Sequence, residues 1–388
     1  MRTIYLVRHA QPEIERGVCL GRKDVKLSHE GEKQAQRLAR YFAGKNISAI
    51  MHSPLKRCEA TARIIAEYSG NKNIKRVPED GLTEVDTGLW DGLPFSEIED
   101  KWPREYEERG RHMGRTVMPG GESFMQAGER FYRCLDTLAG NEEGDLLIVA
   151  HAGVIRSLLC ILTGTDIDRL MDFHIPYASV TILREGAAHK GASPETAERS
   201  GRFCPEVNEF GLRPIESISL SEVDRMWKEC GVTPELRSHM ETVADMAMNL
   251  IEYDPWAVQA DCFDTAYKYR GGVLNTRLLY YGALLHDIRR AEGGRIHASA
   301  GAAYLAKQGY KELSLPVKLH HDPDVYRPGE PLDEAEVLYY ADKLVQGSRP
   351  VSLEERFAKS FEKCRDPEAR KMHEARYVAA LGIREKLN

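Results

Sequence analysis

The 388-residue chain reads as two domains of different class: an α/β domain with a mainly parallel sheet over residues 1–184 and an all-α domain over residues 218–388. Three observations predict this. The length exceeds what a single hydrophobic core usually fills. Short β-rich runs alternate with amphipathic helical patterns as far as about residue 184. Beyond about residue 218 the strand signals give way to helical ones. Between the two, residues 185–217 ("EGAAHKGASPETAERSGRFCPEVNEFGLRPIES") mix Gly, Pro, Ser and both charge signs without a sustained period, which is the pattern of a linker.

In the first half, residues 3–7, 47–51, 146–150 and 179–183 read as strands. Ser28 is placed to cap a helix whose Ala35, Leu38, Ala39 and Phe42 recur at i, i+3, i+4 and i+7. Ser53 and Pro54 fit the N-cap and first position of the next helix. The apolar run of the first strand stops at Arg8 and His9, the second at His52 and Ser53 with Arg57 close behind, and the third at His151. Strands of a doubly wound sheet present ligand-binding residues at their carboxyl ends. Three such endings on neighbouring strands therefore converge at one edge of the sheet. Arginine forks and a helix start favour a phosphate there, and a neutral imidazole can attack phosphorus directly.

In the second half, "LRSHMETVADMAMNLI" sets His239 on the same helical face as Val243, Met246, Ala247, Leu250 and Ile251. "LLYYGALLHDIRR" is an apolar helix ending in His286 and Asp287, and "EVLYYADKLVQ" places Asp342 four residues after Leu338. Buried carboxylates are costly unless paired or holding a cation. Four inward His and Asp residues from three helices are most economically served by a shared divalent metal.

Composition excludes other classes. A net charge of −6 gives no global attraction to nucleic acid or an anionic membrane. No run reaches the roughly 18 apolar residues of a membrane span, and the chain enters a strand without a signal-peptide layout. A cytoplasmic protein is expected. The eight cysteines form no C-x-x-C pair and read as buried thiols.

The stretches "LVRHAQP", "GRKDVKLSHEGEKQA", "SPLKRCEATA", "LTEVDTGLWDG", "PGGESF" and "VAHAGVIR" resemble, in order, the motifs of the histidine phosphatase superfamily, in its phosphoglycerate-mutase-like branch, over about residues 1–184. The resemblance implies a three-layer α/β domain that needs no cofactor. It implies His9 as nucleophile, Arg8, Arg57 and His151 as phosphoryl ligands, Arg22 as a further substrate contact, and Glu84 as the proton donor to the leaving group. Ala10, Gln11 and Pro12 depart from the family's usual Gly followed one residue later by Ser or Thr. The segment between Glu84 and His151 is short for mutase substrate loops, so hydrolysis is expected over phosphoryl transfer to a second substrate. Arg109, Arg111 and Arg115 are candidates for a second anionic group.

The helical half resembles the HD-domain metal-dependent phosphohydrolases, in their H…HD…D order, over about residues 218–360. That resemblance implies that His239, His286, Asp287 and Asp342 hold a first metal. Asp287 would bridge to a second held by His297 and by His320 or His321, a pair the sequence does not separate. Imidazole with carboxylate suits iron, manganese or zinc. Arg289, Arg290 and Arg295 lie where phosphate would meet them. The reading is a bifunctional phosphohydrolase for a small phosphorylated metabolite or nucleotide. Two alternatives stay open: a phosphatase controlled by a non-catalytic HD module that binds metal or nucleotide, and a phosphomutase joined to an HD hydrolase.

Overall fold

The structure, a computed structural model, describes residues 2–388 apart from 71–72, 143, 186–204, 254–266, 271 and 294–295. The chain divides into two compact units, Met1–Ser217 and Ile218–Asn388.

The first unit is built on strands β1 (Thr3–Arg8), β2 (Ile47–His52), β3 (Lys75–Pro78), β4 (Asp145–Ala150), β5 (Val180–Glu185) and β6 (Pro205–Leu212), in spatial order β3-β2-β4-β1-β5-β6. β3, β2, β4 and β1 run parallel. β5 is antiparallel to β1, and β6 to β5. Alternate side chains of the central strands leave by opposite faces: Leu6, Met51 and Ile148 join one apolar core, Val7, Ile50 and Val149 the other. Helices α1 (His29–Phe42) and α2 (Lys56–Tyr68) cover the second face. The first is covered by α5 (Phe124–Asn141) and α6 (Ala152–Thr163), with the short α3 (Phe95–Lys101) and α4 (Pro103–Arg111) between β3 and α5 in sequence. A central strand buried on both faces explains the unbroken apolar run of β4.

Three expectations need correction. Ser28 caps α1 through the Gly31 N–H, as its position predicts, but Ser53 does not cap α2, which begins at Lys56 after Leu55. The Ser53 hydroxyl lies instead 2.8 Å from the His151 ring. The linker expected over 185–217 is partly folded: residues 205–212 form β6. Its outer positions Glu206, Asn208 and Phe210 are exposed, so the strand is only half-buried and lacks an apolar period. Cys134, Cys230 and Cys364 are half-exposed rather than buried, while Cys204 and Cys262 lie outside the described residues.

The second unit is helical: α7 (Leu220–Glu229), α8 (Pro234–Leu250), α9 (Thr276–Leu285), α10 (His297–Lys307), α11 (Ser314–Leu319), α12 (Glu334–Lys343), α13 (Leu353–Phe361) and α14 (Pro367–Leu387). It is not wholly α, since two short antiparallel ribbons, Tyr267–Tyr269 with Gly272–Leu274 and Val345–Gln346 with Arg349–Pro350, are present. α8, α9 and α12 pack together around Val243, Ala247, Leu279, Ala283 and Leu338, all fully buried. Among the described residues no helix is long and apolar enough to cross a membrane.

Candidate active sites

In the first unit, the ends of the adjacent strands β2, β4 and β1 bring His52, His151 and His9 to one edge of the sheet. The His9 and His151 rings lie with centroids 5.0 Å apart. The His9 Nδ1 stands 2.8 Å from the Ala10 carbonyl. A carbonyl only accepts, so Nδ1 carries the proton and Nε2 keeps its lone pair. Burial, with the nearby Arg57 and Arg8 charges, holds His9 well below the usual imidazole range, and it is neutral at physiological pH. His151 is depressed for the same reasons, burial first and then Arg57. Its tautomer is the opposite one. Arg57 Nε donates to its Nδ1 at 3.3 Å, leaving Nε2–H to face the Ser53 hydroxyl.

The two arginines differ in freedom. Arg57 also donates to the Lys23 and Gly21 carbonyls at 2.8 and 2.7 Å, which leaves two of its five N–H groups. Arg8 donates from Nη1 to the Ile175 carbonyl at 2.7 Å and lies 3.7 Å over the Tyr177 ring, but its buried Nε has no partner. Burial brings its pKa down to about 10. The Glu84 carboxylate accepts from the Gly153 and Val154 N–H groups at 3.2 and 3.1 Å, in the first turn of α6, and from Val85 N–H at 3.0 Å. Free N–H groups and the positive end of the helix dipole suit an anion there. The pocket thus holds one buried and one half-buried cation, two neutral rings and one carboxylate.

In the second unit, His239, His286 and Asp342 form one candidate metal-binding group and Asp287, His297, His320 and His321 a second. Asp287 faces both. Its Oδ1 lies 3.0 and 3.3 Å from Nε2 of His297 and His320, its Oδ2 3.9 and 4.0 Å from Nε2 of His286 and His239. Asp342 Oδ1 is 3.4 and 3.6 Å from Nε2 of His239 and His286. Three rings are oriented by carbonyls that take the Nδ1 proton: Gly347 for His239, Ala283 for His286 and Val317 for His320, at 2.7, 2.7 and 2.6 Å. The last two carbonyls belong to the final turns of α9 and α11, where helices leave such groups unpaired. A histidine just past the helix end therefore caps it and aims Nε2 inward.

This donor set fits a divalent metal. His286 Nε2 is buried without a hydrogen-bond partner, and two buried carboxylates converge on three Nε2 lone pairs set by backbone carbonyls. Burial would raise Asp342, but Lys343, 2.7 Å from its Oδ2, with His239 and His286, holds it well below the usual carboxylate range.

Residues 4–192 match the family model "Histidine phosphatase superfamily (branch 1)", and residues 236–346 match "HD domain". Phosphoserine phosphatase 1 of Hydrogenobacter thermophilus is 31% identical over 47% of this chain and 86% of its own length. The chain belongs to the histidine phosphatase superfamily. It carries an HD domain in addition. A 2,3-bisphosphoglycerate-dependent phosphoglycerate mutase of Mesorhizobium japonicum is 27% identical over 51% of this chain and 98% of its own length. The solved structure of Bacillus stearothermophilus YhfR, at 25% identity, covers 54% of this chain and 97% of its own, with a TM-score of 0.47.

Within the histidine phosphatase unit, Arg8, His9, Arg57 and His151 come together as the strand endings predict. Arg22 does not present a free guanidinium: it donates to Asp86, Glu122 and the Glu84 carbonyl at 3.1, 3.0 and 3.2 Å. It braces the strand of chain that carries Glu84. Arg111 and Arg115 are engaged with Glu107 and with Asp166 and Asp168 at the surface, away from any second-anion role, while Arg109 keeps a buried Nε without a partner. In the HD unit, His320 faces Asp287 and is fully buried, whereas His321, in the same group, has its Nδ1 3.4 Å from Lys343 Nζ. Arg289 pairs with Glu292, Arg290 reaches His297 at 3.2 Å, and Arg295 lies outside the described residues. Sequence reasoning missed Tyr177, Gly153 and Lys343. Only the last two sit inside quoted motifs, "VAHAGVIR" and "YYADKL".

Proposed function

We propose that the chain is a two-headed phosphohydrolase, with a metal-independent phosphomonoesterase in the histidine phosphatase unit and a metal-dependent phosphohydrolase in the HD unit. The observation that carries the first assignment is the His9 tautomer: a neutral buried ring with its Nε2 lone pair free, between Arg8 and Arg57. His9 Nε2 attacks phosphorus, the N–P bond forms, and the bond to the leaving oxygen breaks while Glu84, entering the step as the carboxylic acid, gives its proton to that oxygen and becomes the carboxylate. Water then attacks the phosphohistidine, Glu84 recovers the proton, and orthophosphate leaves. Arg8 and Arg57 stabilise charge on the equatorial oxygens, and the His151 Nε2–H adds a neutral donor. The substrate is a small phosphomonoester, and phosphoserine, named for one relative, is the first compound to test. Brief incubation of the full chain with a 32P-labelled monoester should leave an acid-labile label that His9→Ala abolishes together with turnover. Retained turnover in His9→Ala would overturn the covalent mechanism.

In the HD unit, His239, His286 and Asp342 would hold one cation, His297 and His320 a second, and Asp287 both. A divalent cation bound there supplies Lewis acidity, lowering the pKa of water and neutralising phosphate oxygens. The chain's own part is to fix the rings through the Gly347, Ala283 and Val317 carbonyls and to hold Asp342 through Lys343. The divided arrangement around Asp287 supports two ions over one. Elemental analysis of purified protein tests this: about two iron, manganese or zinc atoms per chain, with one lost in His297→Ala, is the expected result.

A further inference from the structure

Beside the metal-ligand cluster of the HD unit lies a cavity of about 350 Å3, within the range of small-ligand sites. Among the described residues its lining contains Arg290, Lys343, Arg356, Lys359, Lys363 and Arg376, and not one carboxylate. This departs from the rest of a chain whose net charge is −6. Elsewhere in the same unit several cations on helix surfaces are matched, among them Arg225 with Glu229, Lys228 with Asp224 and Arg384 with Glu354.

Lys343 is already committed to Asp342, and Arg290 leans toward Asp287 and His297. The other four have no acidic partner among the described residues. The side chains of Arg356 and Lys363 make no hydrogen bond or ion pair among the described residues, and Lys359 meets only the neutral Gln346 amide at 3.2 Å. Arg376 is held in place from behind, its Nε donating to the His321 carbonyl at 3.0 Å, so its outer N–H groups are aimed but unused. Arg356, Lys359 and Lys363 follow at i, i+3 and i+7 along α13 and the turn beyond it, one cation per turn on a single face. The cavity begins at Arg290 and His321, which border the ligand cluster, and runs out to Lys363.

We propose that this cavity binds a chain of two or more phosphoryl groups. A single phosphate needs one clamp of two or three cations. A row of unpaired cations leading away from the cluster matches instead an anion whose charge repeats along its length. Taken with the reading of the cluster as a metal centre, on which this corollary rests, the HD unit acts on a phosphoanhydride. Its hydrolysis forms one P–O bond to the water oxygen and breaks one bridging P–O bond. The two protons of water are shared between the product phosphates and the solvent. The two heads would then differ in substrate class, monoester against oligophosphate.

The test is calorimetric titration of the chelator-treated full chain with inorganic tripolyphosphate and with orthophosphate, without turnover. Two binding events are expected for tripolyphosphate. One belongs to the first unit and is lost in Arg8→Gln. The other persists in Arg8→Gln, weakens at least tenfold in Arg356→Gln and again in Arg356→Gln/Lys363→Gln, falls steeply with added salt, and is at least tenfold weaker for orthophosphate. Lys363→Glu alone, an exposed change with no partner to disturb, should weaken the same event and guards against misfolding of the arginine variant. Tripolyphosphate binding unchanged in the double variant, or equal affinity for orthophosphate at this site, would overturn the proposal. Because the titration is metal-free, loss of binding in the double variant upholds the cavity even where elemental analysis fails the metal reading.

Discussion

Gly153→Ala is a small change aimed at Glu84, the proposed proton donor. Gly153 is the second residue of α6, and its N–H reaches the Glu84 carboxylate. A Cβ there would stand 2.6 Å from Glu84 Oε1 and 3.0 Å from Val85 Cγ2, where ordinary contact begins at 3.4 Å. To go from 2.6 to 3.4 Å the carboxylate must retreat by about 0.8 Å, and a misplacement of ~1 Å at a reacting group costs up to about 100-fold. A 10- to 100-fold fall in kcat is therefore expected for an alkyl phosphate such as phosphoserine, whose leaving alkoxide needs the proton. With para-nitrophenyl phosphate, whose leaving group is stable as an anion, the loss should stay under about tenfold, because proton donation matters less. Ala for Gly inside a helix contributes about 0.5–1 kcal/mol, which offsets part of the ~1–3 kcal/mol cost of overpacking, so a net loss of no more than about 2.5 kcal/mol is expected. Melting of the variant separates the two effects, and Glu84→Gln should reproduce the leaving-group pattern without the clash. Equal losses on both substrates, or no loss on either, would refute the placement of Glu84 as proton donor.

The depressed imidazoles give a pH dependence. His9 and His151 stay neutral when folded but bind a proton near pH 6.5 when unfolded, so the unfolded state takes up more protons and stability falls as pH drops below about 6.5. Each contributes a slope of about 1.4 kcal/mol per pH unit; urea unfolding of His9→Asn should show a slope shallower by that amount between pH 6 and 5, and parallel curves would contradict it. Chelator should lower the melting of the HD unit, by about 2.7 kcal/mol of stability where free metal had stood at 100 times its Kd, and leave the histidine phosphatase unit unchanged. Asp287→Ala without chelator should match that shift, which differential scanning calorimetry would show. A fragment ending at 217 should stay soluble and retain phosphatase turnover, whereas one ending at 190 loses β6 and bares the edge of β5, and should aggregate on gel filtration.

The catalytic edge of the first unit is legible because parallel strands buried on both faces are unbroken apolar runs, and whatever follows them arrives at one rim. Arg8, His9 and His151 announce themselves that way. β6 does not, because an edge strand with Glu206 and Asn208 turned to solvent carries little apolar signal. The bracing role of Arg22 was equally hidden: its partners Asp86 and Glu122 lie 64 and 100 residues away in sequence, and no local pattern encodes such a contact. In the HD unit the candidate ligands His239, His286 and Asp342 follow from apolar faces that would otherwise bury a bare polar group. What separates His320 from His321 is where α11 ends: only His320 follows its last residue directly, within reach of the Val317 carbonyl, although both stand in the candidate cluster.

The clamps on the histidine rings have a further consequence for how this chain tolerates change. For His9 and His52 the carbonyl belongs to the next residue, and for His286 and His320 to the residue three earlier. Such rings take their orientation from the main chain at hand, which no side-chain substitution removes. A reorienting rotation by half a turn would place a proton where a lone pair is needed, silencing nucleophile or ligand alike, and the nearby carbonyl opposes it whatever residues surround the ring. His239 is the exception. Its carbonyl, Gly347, sits on the turn of the distant Val345–Pro350 ribbon. Drift in that turn would therefore turn one candidate ligand aside while His286 and His320 kept the aim their own helices give them.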